Sequence, residues 1–216
     1  MLQPILDNCK KHNAQLIAVS KNHTVAEIMP LYQQGIRTFG ENRVQELLEK
    51  QAQMPKDIDW HLIGHLQSNK VKQIVPFIKL IHSIDSLKLL DEIEKEAAKI
   101  NKTIAVLLQL HVAKEETKFG LLLQEAMHIA KTVTTNKNAY QYIKIVGVMG
   151  MATNTSNTQQ IEEEFTQIKN IFQLLKDSYY TFDAAFKEIS MGMSSDYVIA
   201  LQHGSTMVRV GSLLFE

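Results

Sequence analysis

The sequence has few of the features that mark secreted, membrane or nucleic-acid-binding proteins. Its one cysteine, Cys9, excludes an internal disulfide, and nothing indicates an oxidising compartment. The N-terminus shows no basic region followed by an apolar run, and no segment approaches the roughly 20 apolar residues of a membrane span. The 23 basic residues balance the 23 acidic ones, so no net charge attracts a polyanion or an anionic membrane surface. We therefore expect a cytoplasmic protein whose partners include neither nucleic acid nor membrane.

The chain does contain a regular alternation of short β-branched runs and amphipathic stretches. Its 216 residues, of which 45% are hydrophobic, are enough to bury one large core, so we expect a single domain over 1–216. The alternation predicts eight strands separated by seven helices, and several strands are apolar enough to be covered on both faces. The predicted strands cover residues 16–20, 37–42, 59–65, 79–84, 103–112, 143–151, 188–193 and 206–212.

Eight parallel strands with helices between them predict an α/β fold of the (β/α)8 TIM-barrel type, in a compact form because such barrels usually contain about 250 residues. An open doubly wound sheet is the alternative, since a count of strands does not establish closure. No helix is predicted after the eighth strand, so residues 2–13 are expected to provide the eighth outer helix. Short polar side chains and glycines predict where helices begin and end, with Thr24, Ser86 and Ser194 as N-terminal caps and Gly35 and Gly204 as stops.

Lys21 is the first of several polar residues that follow predicted strands, at the end of the sheet where barrels and open parallel sheets build their sites. An amine at the end of a buried strand loses hydration, which would lower its pKa and let it condense with an aldehyde as a Schiff base. A lysine that leaves a strand is more often a solvated surface residue. The functional interpretation therefore depends on the residues around it.

A second group of residues follows the seventh and eighth strands, where barrels often bind phosphate. Gly192 and Gly211 lack a Cβ and allow an anion to approach the backbone closely. The hydroxyls of Ser190, Ser194 and Ser212 can donate hydrogen bonds. Ordinary turn chemistry is the alternative for either segment alone.

Arg209 lies within the strongly apolar eighth strand, where an unpaired guanidinium is costly and needs a partner. The partner is either a ligand atom or a carboxylate at the end of the barrel, such as Glu41 or Glu188. His61 and His65 have the spacing of helical zinc ligands, but on a strand they would stand roughly 13 Å apart. No metal site is expected from that pair.

Five motifs occur in order along nearly the whole chain. They are Ala18-Val19-Ser20-Lys21, Phe39-Gly40-Glu41-Asn42-Arg43-Val44-Gln45-Glu46, Trp60-His61-Leu62-Ile63-Gly64-His65-Leu66-Gln67-Ser68-Asn69-Lys70, Ser190-Met191-Gly192-Met193-Ser194-Ser195-Asp196 and Gly204-Ser205-Thr206-Met207-Val208-Arg209-Val210-Gly211. In these motifs the chain resembles the pyridoxal phosphate homeostasis protein family, whose barrel is alanine racemase N-terminal-like. The resemblance implies that Lys21 carries pyridoxal 5'-phosphate as a Schiff base and that Arg209 faces the pyridine nitrogen. It further implies a phosphate site of Ser190, Gly192, Ser194, Gly211 and Ser212, with Asn42 beside the ring and Met149 and Met151 as an apolar wall.

An arginine at the pyridine nitrogen would disfavour protonation of the ring and leave it a weaker electron sink. The chain ends soon after the eighth strand, so the second domain of related racemases is not expected. We therefore predict a monomeric carrier of pyridoxal phosphate in vitamin B6 homeostasis, which supplies dependent enzymes and is not itself an enzyme. The alternatives are a weak amino-acid racemase, with Ser20, Asn42 or His65 handling protons, and a phosphosugar isomerase or aldolase-like barrel without this cofactor.

Overall fold

Eight parallel strands close into a barrel in the computed structural model, which describes residues 2–113 and 119–215. The strands are β1 (Gln15–Val19), β2 (Thr38–Glu41), β3 (Asp59–Leu62), β4 (Leu80–Ile84), β5 (Ile104–Gln109), β6 (Ile143–Met149), β7 (Glu188–Ser190) and β8 (Met207–Val210). They pair in chain order, and β1 also pairs with β8, where Ile17 stands opposite Arg209. The predicted barrel is confirmed. The open sheet is wrong, because it would leave β1 and β8 as unpaired edges.

Every predicted strand is present, but most end earlier than the sequence indicates. The seventh, predicted over 188–193, ends at Ser190, and the eighth, predicted over 206–212, ends at Val210. Residues 191–193 and Gly211 leave the sheet and form loops at the carboxyl end of the barrel, and Ser212 begins a short helix. Most of the predicted site residues therefore lie in loops rather than in strands.

The helices alternate with the strands, as expected, and α1 packs against β1 and α8 on the outside of the barrel. They are α1 (Leu2–Lys11), α2 (Val25–Gln33), α3 (Val44–Gln53), α4 (Val71–Ile74), α5 (Leu87–Lys99), α6 (Leu123–Thr135), α7 (Thr158–Tyr179), α8 (Tyr197–Gln202) and α9 (Ser212–Phe215). A 3-10 turn over Ser68–Lys70 precedes α4. The expectation that no helix follows the eighth strand is wrong, since α9 forms one helical turn there; four residues are too few to produce a detectable apolar period.

Most of the predicted helix ends are confirmed. The Thr24 hydroxyl accepts from the backbone of Glu27 in a capping box, and the Ser86 hydroxyl accepts from the backbone of Leu89. Gly35 and Gly204 follow their helices with φ of +96° and +90°, the left-handed region that glycine adopts without strain. Ser194 is not a cap, because α8 begins three residues later, after Asp196.

The core lies in two parts. A large apolar cluster fills the space between the strands and the outer helices. A smaller one, formed by Ile17, Leu80, Leu107, Met149 and Met207, lies inside the barrel. Alternate strand residues face the same side, so His82 and Arg209 stand one layer nearer the carboxyl end than Leu80 and Met207. Two polar side chains, His82 and Arg209, thus lie inside the barrel on the side of the predicted site.

Two absences apply to the described residues alone. Within 2–113 and 119–215, no helix is long and apolar enough to cross a membrane. The same residues contain no group of three or more His, Cys, Asp or Glu side chains placed to hold a metal ion.

Candidate functional site

A cavity of about 430 Å³ opens at the carboxyl ends of the strands, within the range of roughly 300–1,000 Å³ typical of small-ligand sites. It is lined by seven of the ten residues predicted for the cofactor site, namely Lys21, Asn42, Met151, Ser194, Arg209, Gly211 and Ser212. The lysine after the first strand and the loops after the seventh and eighth strands therefore share one cavity. Ser190 and Gly192 do not line it.

Lys21 itself is exposed at this cavity, and no described residue forms a hydrogen bond or an ion pair with its amine. The expectation that its position at a strand end would bury it is wrong, because the residue lies just past the barrel rim. Its amine is consequently available to a ligand. Two residues further on, His23 stacks on Phe215 of α9 with ring centroids 3.7 Å apart, which brings the Lys21 loop beside the helix that begins at Ser212.

The backbone on either side of Lys21 is held by side chains from β2 and α3. The Ser20 hydroxyl donates to Glu41 Oε1 at 2.7 Å, and Lys50 Nζ donates to the Ser20 carbonyl at 2.6 Å. The Asn22 amide donates to Glu46 Oε2 at 3.0 Å. These contacts fix the turn that presents Lys21 to the cavity.

Glu41 and Lys50 form a buried ion pair beneath that turn. Lys50 Nζ lies 2.5 Å from Glu41 Oε1, and Glu41 has no exposed surface. Burial raises the pKa of Glu41, although hydrogen bonds from Lys50 and Ser20 oppose the shift. The second oxygen, Glu41 Oε2, is buried and accepts no hydrogen bond from the described residues. The sequence patterns did not reveal this pair, because only the folded chain brings β2 and α3 together.

Arg209 is buried in the barrel yet reaches the cavity. Its Nη1 donates to Ser190 Oγ at 2.6 Å, and its Nη2 donates to the Gly150 carbonyl at 3.0 Å. Burial lowers the pKa of Arg209 to about 10. Among the described residues, the salt bridge to Glu41 or Glu188 is not formed, because Glu41 pairs with Lys50 and Glu188 accepts from Thr206. The negative charge of Asp196 acts on Arg209 and opposes the shift of its pKa. The two hydrogen bonds of the guanidinium to described residues therefore go to neutral oxygens.

The loops after β7 and β8 are tied together at the cavity rim. The Gly211 amide donates to Ser194 Oγ at 3.2 Å. A Cβ on Gly211 would lie 3.1 Å from the Val19 carbonyl, so glycine allows this loop to lie against β1. Among the described residues, the backbone amides of Ser194, Ser195 and Ser212 have no acceptor. Such free N–H groups around a concave rim are suited to an anion.

Ser190 and Gly192 lie beneath the cavity and have structural partners. The Ser190 hydroxyl, fully buried, contacts Arg209 and His82. Gly192 has a φ of +93°, its carbonyl accepts from the Arg209 amide at 2.9 Å, and a Cβ on it would lie 2.5 Å from Ala200 Cβ. This geometry supports Arg209 and the contact with α8, and the role of the two residues toward a phosphate stays a prediction.

The remaining predicted residues divide between the cavity and the core. Met151 lines the cavity, whereas Met149 is fully buried inside the barrel and is not among the residues that line the cavity. Ile63, Met193 and Ser195 also line it; each lies within a motif quoted above, although its role was not predicted. His61 and His82 form a buried pair 3.0 Å apart that the sequence patterns did not reveal.

Fold and site together define a closed β/α barrel in which an exposed lysine and backbone amides without an acceptor among the described residues meet at the carboxyl ends of the strands. The pattern of the alanine racemase N-terminal domain family matches residues 3–216, and the chain belongs to this family. It is 36% identical over 210 residues to the pyridoxal phosphate homeostasis protein of Aquifex aeolicus, covering 97% of this chain and 87% of that protein. The protein of the same name from Schizosaccharomyces pombe is 35% identical over 221 residues, covering 98% of this chain and 87% of that one.

Two solved structures of one further protein share this fold and a similar level of sequence identity. PipY of Synechococcus elongatus PCC7942 with pyridoxal phosphate bound superposes with a TM-score of 0.85 at 34% identity, covering 94% of this chain and 93% of that one. The same protein without pyridoxal phosphate superposes with a TM-score of 0.90 at 32% identity, and each chain is covered in full.

Proposed function

We propose that this protein binds pyridoxal 5'-phosphate at the carboxyl end of its barrel and acts as a cytoplasmic carrier in vitamin B6 homeostasis. The observation that carries the proposal is the shared cavity, in which the unpaired Lys21 and the free amides of the last two loops meet. The names of the relatives and the pyridoxal phosphate bound to PipY support the choice of cofactor.

Lys21 would hold the cofactor covalently and reversibly. Its amine would condense with the aldehyde of the cofactor to form the C=N bond of a Schiff base and release water, and hydrolysis would release the cofactor again. No described side chain competes for the Lys21 amine, and the Ser20–Glu41–Lys50 contacts keep its turn in place. The reversible bond suits a protein that stores a reactive aldehyde.

The other cavity residues would bind the remaining parts of the cofactor. The amides and hydroxyls of Ser194 and Ser212, with the backbone at Gly211, suit the phosphate. Asn42, half-buried on the cavity wall, suits the ring edge, and Arg209 suits the pyridine nitrogen. A fixed cation at that nitrogen disfavours ring protonation and so weakens the cofactor as an electron sink. This arrangement favours storage over amino-acid chemistry.

The racemase alternative needs groups that move a proton at the cofactor, and the candidates named from the sequence are poorly placed for that task. The Ser20 hydroxyl is buried and donates to Glu41. His65 is bonded to Asp85 at 3.0 Å and stacks on Phe119, and it is not among the residues that line the cavity. Asn42 is on the wall but does not titrate. Among the described residues, the arrangement therefore favours a carrier that supplies pyridoxal phosphate to dependent enzymes.

Visible absorption tests the proposal. Purified protein mixed with pyridoxal phosphate should show the band of the lysine-bound cofactor, and Lys21→Ala should lose it while circular dichroism shows an intact fold. Lys10→Ala, which removes an exposed amine of α1, is the matched control and should keep the band. A wild-type protein that stays colourless would contradict the proposal and favour the phosphosugar alternative.

Two further measurements test the carrier function. Loaded protein mixed with the apo form of a pyridoxal-phosphate-dependent enzyme should restore its activity, and loaded Lys21→Ala should not differ from free cofactor. Solvent deuterium incorporation at the α-carbon of amino acids, above the rate with free cofactor, would instead favour a racemase. Size-exclusion chromatography tests the predicted monomer.

A further inference from the structure

A continuous chain of hydrogen bonds crosses the interior of the barrel beneath the cavity. Arg209 Nη1 lies 2.6 Å from Ser190 Oγ, Ser190 Oγ lies 3.0 Å from His82 Nδ1, and His82 Nε2 lies 3.0 Å from His61 Nδ1. Ser190 and His82 are fully buried, and His61 and Arg209 are each 4% exposed. The four residues come from β8, β7, β4 and β3, so no single sequence segment contains the chain.

The donors in this chain can be assigned from chemistry. Arginine only donates, so Ser190 Oγ must accept from Arg209. The hydroxyl has one proton and, among the described residues, no other acceptor than His82 Nδ1. If His82 donated instead, the hydroxyl proton would be buried without a partner, which is costly. Ser190 therefore donates to His82.

The two histidines then have one arrangement. His82 accepts at Nδ1, so as a neutral ring it carries its proton on Nε2 and donates to His61 Nδ1. His61 in turn carries its proton on Nε2. Burial lowers the pKa of His61 to about 3 and that of His82 well below its ordinary value, which agrees with two neutral rings. The chain ends at His61, which lines a second cavity, of about 550 Å³, with Asp59 and Lys79 at the amino ends of the strands.

We propose that Ser190, His82 and His61 are positioning residues for Arg209, joined in a chain that donates in one direction from Arg209 to Ser190, His82 and His61. The chain supplies the guanidinium with a neutral hydrogen-bond acceptor inside the barrel, and the negative charge of Asp196 also acts on Arg209. The role of Arg209 toward the cofactor ring rests on the proposed function. The direction of donation is a property of the protein alone.

Nuclear magnetic resonance of the cofactor-free protein tests the direction. Long-range nitrogen–proton correlation spectra distinguish the two neutral tautomers and the charged ring of histidine. At pH 7, His82 and His61 should both be neutral with the proton on Nε2, and the exposed His12 and His128 serve as internal references. The replacements His82→Gln and His61→Gln assign the signals. A proton on His82 Nδ1, or a charged His82 ring, would overturn the inference without affecting the proposed function.

A double-mutant cycle tests the positioning role. Ser190→Ala should weaken binding of pyridoxal phosphate about 5- to 20-fold and shift the absorption maximum of the bound cofactor in the direction that Arg209→Met shifts it. In the Arg209→Met background, the same serine change should alter affinity by less than about twofold. Additive effects of the two changes would overturn the inference, because Ser190 would then act independently of Arg209.

Controls separate positioning from general damage. Ser83→Ala removes a buried hydroxyl that has no hydrogen-bond partner among the described residues, and it should change neither affinity nor absorption maximum. Ser190→Thr keeps the hydroxyl and should restore most of the affinity. If Ser190→Ala does not fold, His82→Leu replaces it in the same cycle with the same expectation. Wild-type protein without cofactor affinity would contradict the proposed function, while the tautomer measurement would still decide the chain.

Discussion

Lys50 of α3 donates from Nζ to the backbone carbonyl of Ser20 at 2.6 Å, one residue before the lysine at the cavity. The same amine pairs with the buried carboxylate of Glu41, so one side chain both neutralises a buried charge and fixes the turn that presents Lys21. Loss of the Lys50 side chain should therefore affect both the stability of the barrel and the position of Lys21.

Replacement of Lys50 by Met should destabilise the protein by about 3–5 kcal/mol, because it leaves the Glu41 carboxylate buried without its partner. Urea unfolding at pH 7 measures the change. Lys56→Met, on the surface, is the matched control, and Glu41→Gln combined with Lys50→Met should recover part of the loss. A Lys50→Met protein as stable as the control would show that the pair is dispensable.

The loss of unfolding free energy caused by Lys50→Met should also depend on pH. Burial raises the pKa of Glu41 in the folded protein, so the folded chain holds a proton on Glu41 more readily than the unfolded chain does. That contribution to stability is present at acidic pH and is lost as the pH rises through the folded pKa. At pH 4.5 a larger fraction of Glu41 is protonated than at pH 7, and a neutral Glu41 does not need the positive charge of Lys50. The difference in unfolding free energy between wild type and Lys50→Met should therefore be smaller at pH 4.5 than at pH 7. An equal difference at both values would mean that Glu41 does not titrate as the burial indicates.

The buried histidines should have the opposite effect to Glu41, because they make the folded protein less stable at acidic pH. Burial is the main cause of the lowered pKa of His82, and repulsion from a protonated His61 ring and from the charge of Arg209 lowers it further. Below pH 6.5 the unfolded chain binds a proton at His82 that the folded chain does not, so the unfolding free energy falls as the pH is lowered. His82→Gln should reduce the loss between pH 7 and pH 5 by about 2 kcal/mol. Urea unfolding at both pH values measures it, with the exposed His128→Gln as the control that should follow wild type.

Two glycines should respond differently to alanine. Gly192→Ala should destabilise the fold by about 2–3 kcal/mol, because the residue has a φ of +93° and its new Cβ would meet Ala200 at 2.5 Å. Gly211→Ala should cost less than about 1 kcal/mol, since the nearest atom would be 3.1 Å away, but it should weaken cofactor binding by moving the rim loop. Thermal unfolding and cofactor titration of both variants check this. The reverse order of stabilities would contradict the packing account.

The sequence was sufficient for the barrel because its signal is repeated eight times: each apolar β-branched run alternates with an amphipathic helix. It was insufficient for details that depend on a single contact. Ser194 has the composition of a helix cap, but its hydroxyl accepts from Gly211, a residue 17 positions away. Lys21 follows a buried strand, yet the turn that Lys50 and Glu46 hold leaves its side chain exposed.

The candidate site could likewise be predicted from the sequence only in part. The five motifs placed Lys21, Arg209 and the last two loops in one family pattern, and the structure brings these residues to one cavity. The partner of Arg209 could not be read from the sequence, because Ser190, His82 and Gly150 come together only when the barrel closes. A polar residue at an inward position of an apolar strand was the available signal, and both His82 and Arg209 have it.

Borohydride reduction of the protein loaded with pyridoxal phosphate tests the central claim most directly. Reduction converts the C=N bond to a stable amine, and mass spectrometry of the peptides then locates the modified lysine. We predict a single modification at Lys21, and none at this site in Lys21→Ala. Modification of another lysine, or of several lysines equally, would contradict the claim that Lys21 and the two phosphate loops bind one cofactor molecule.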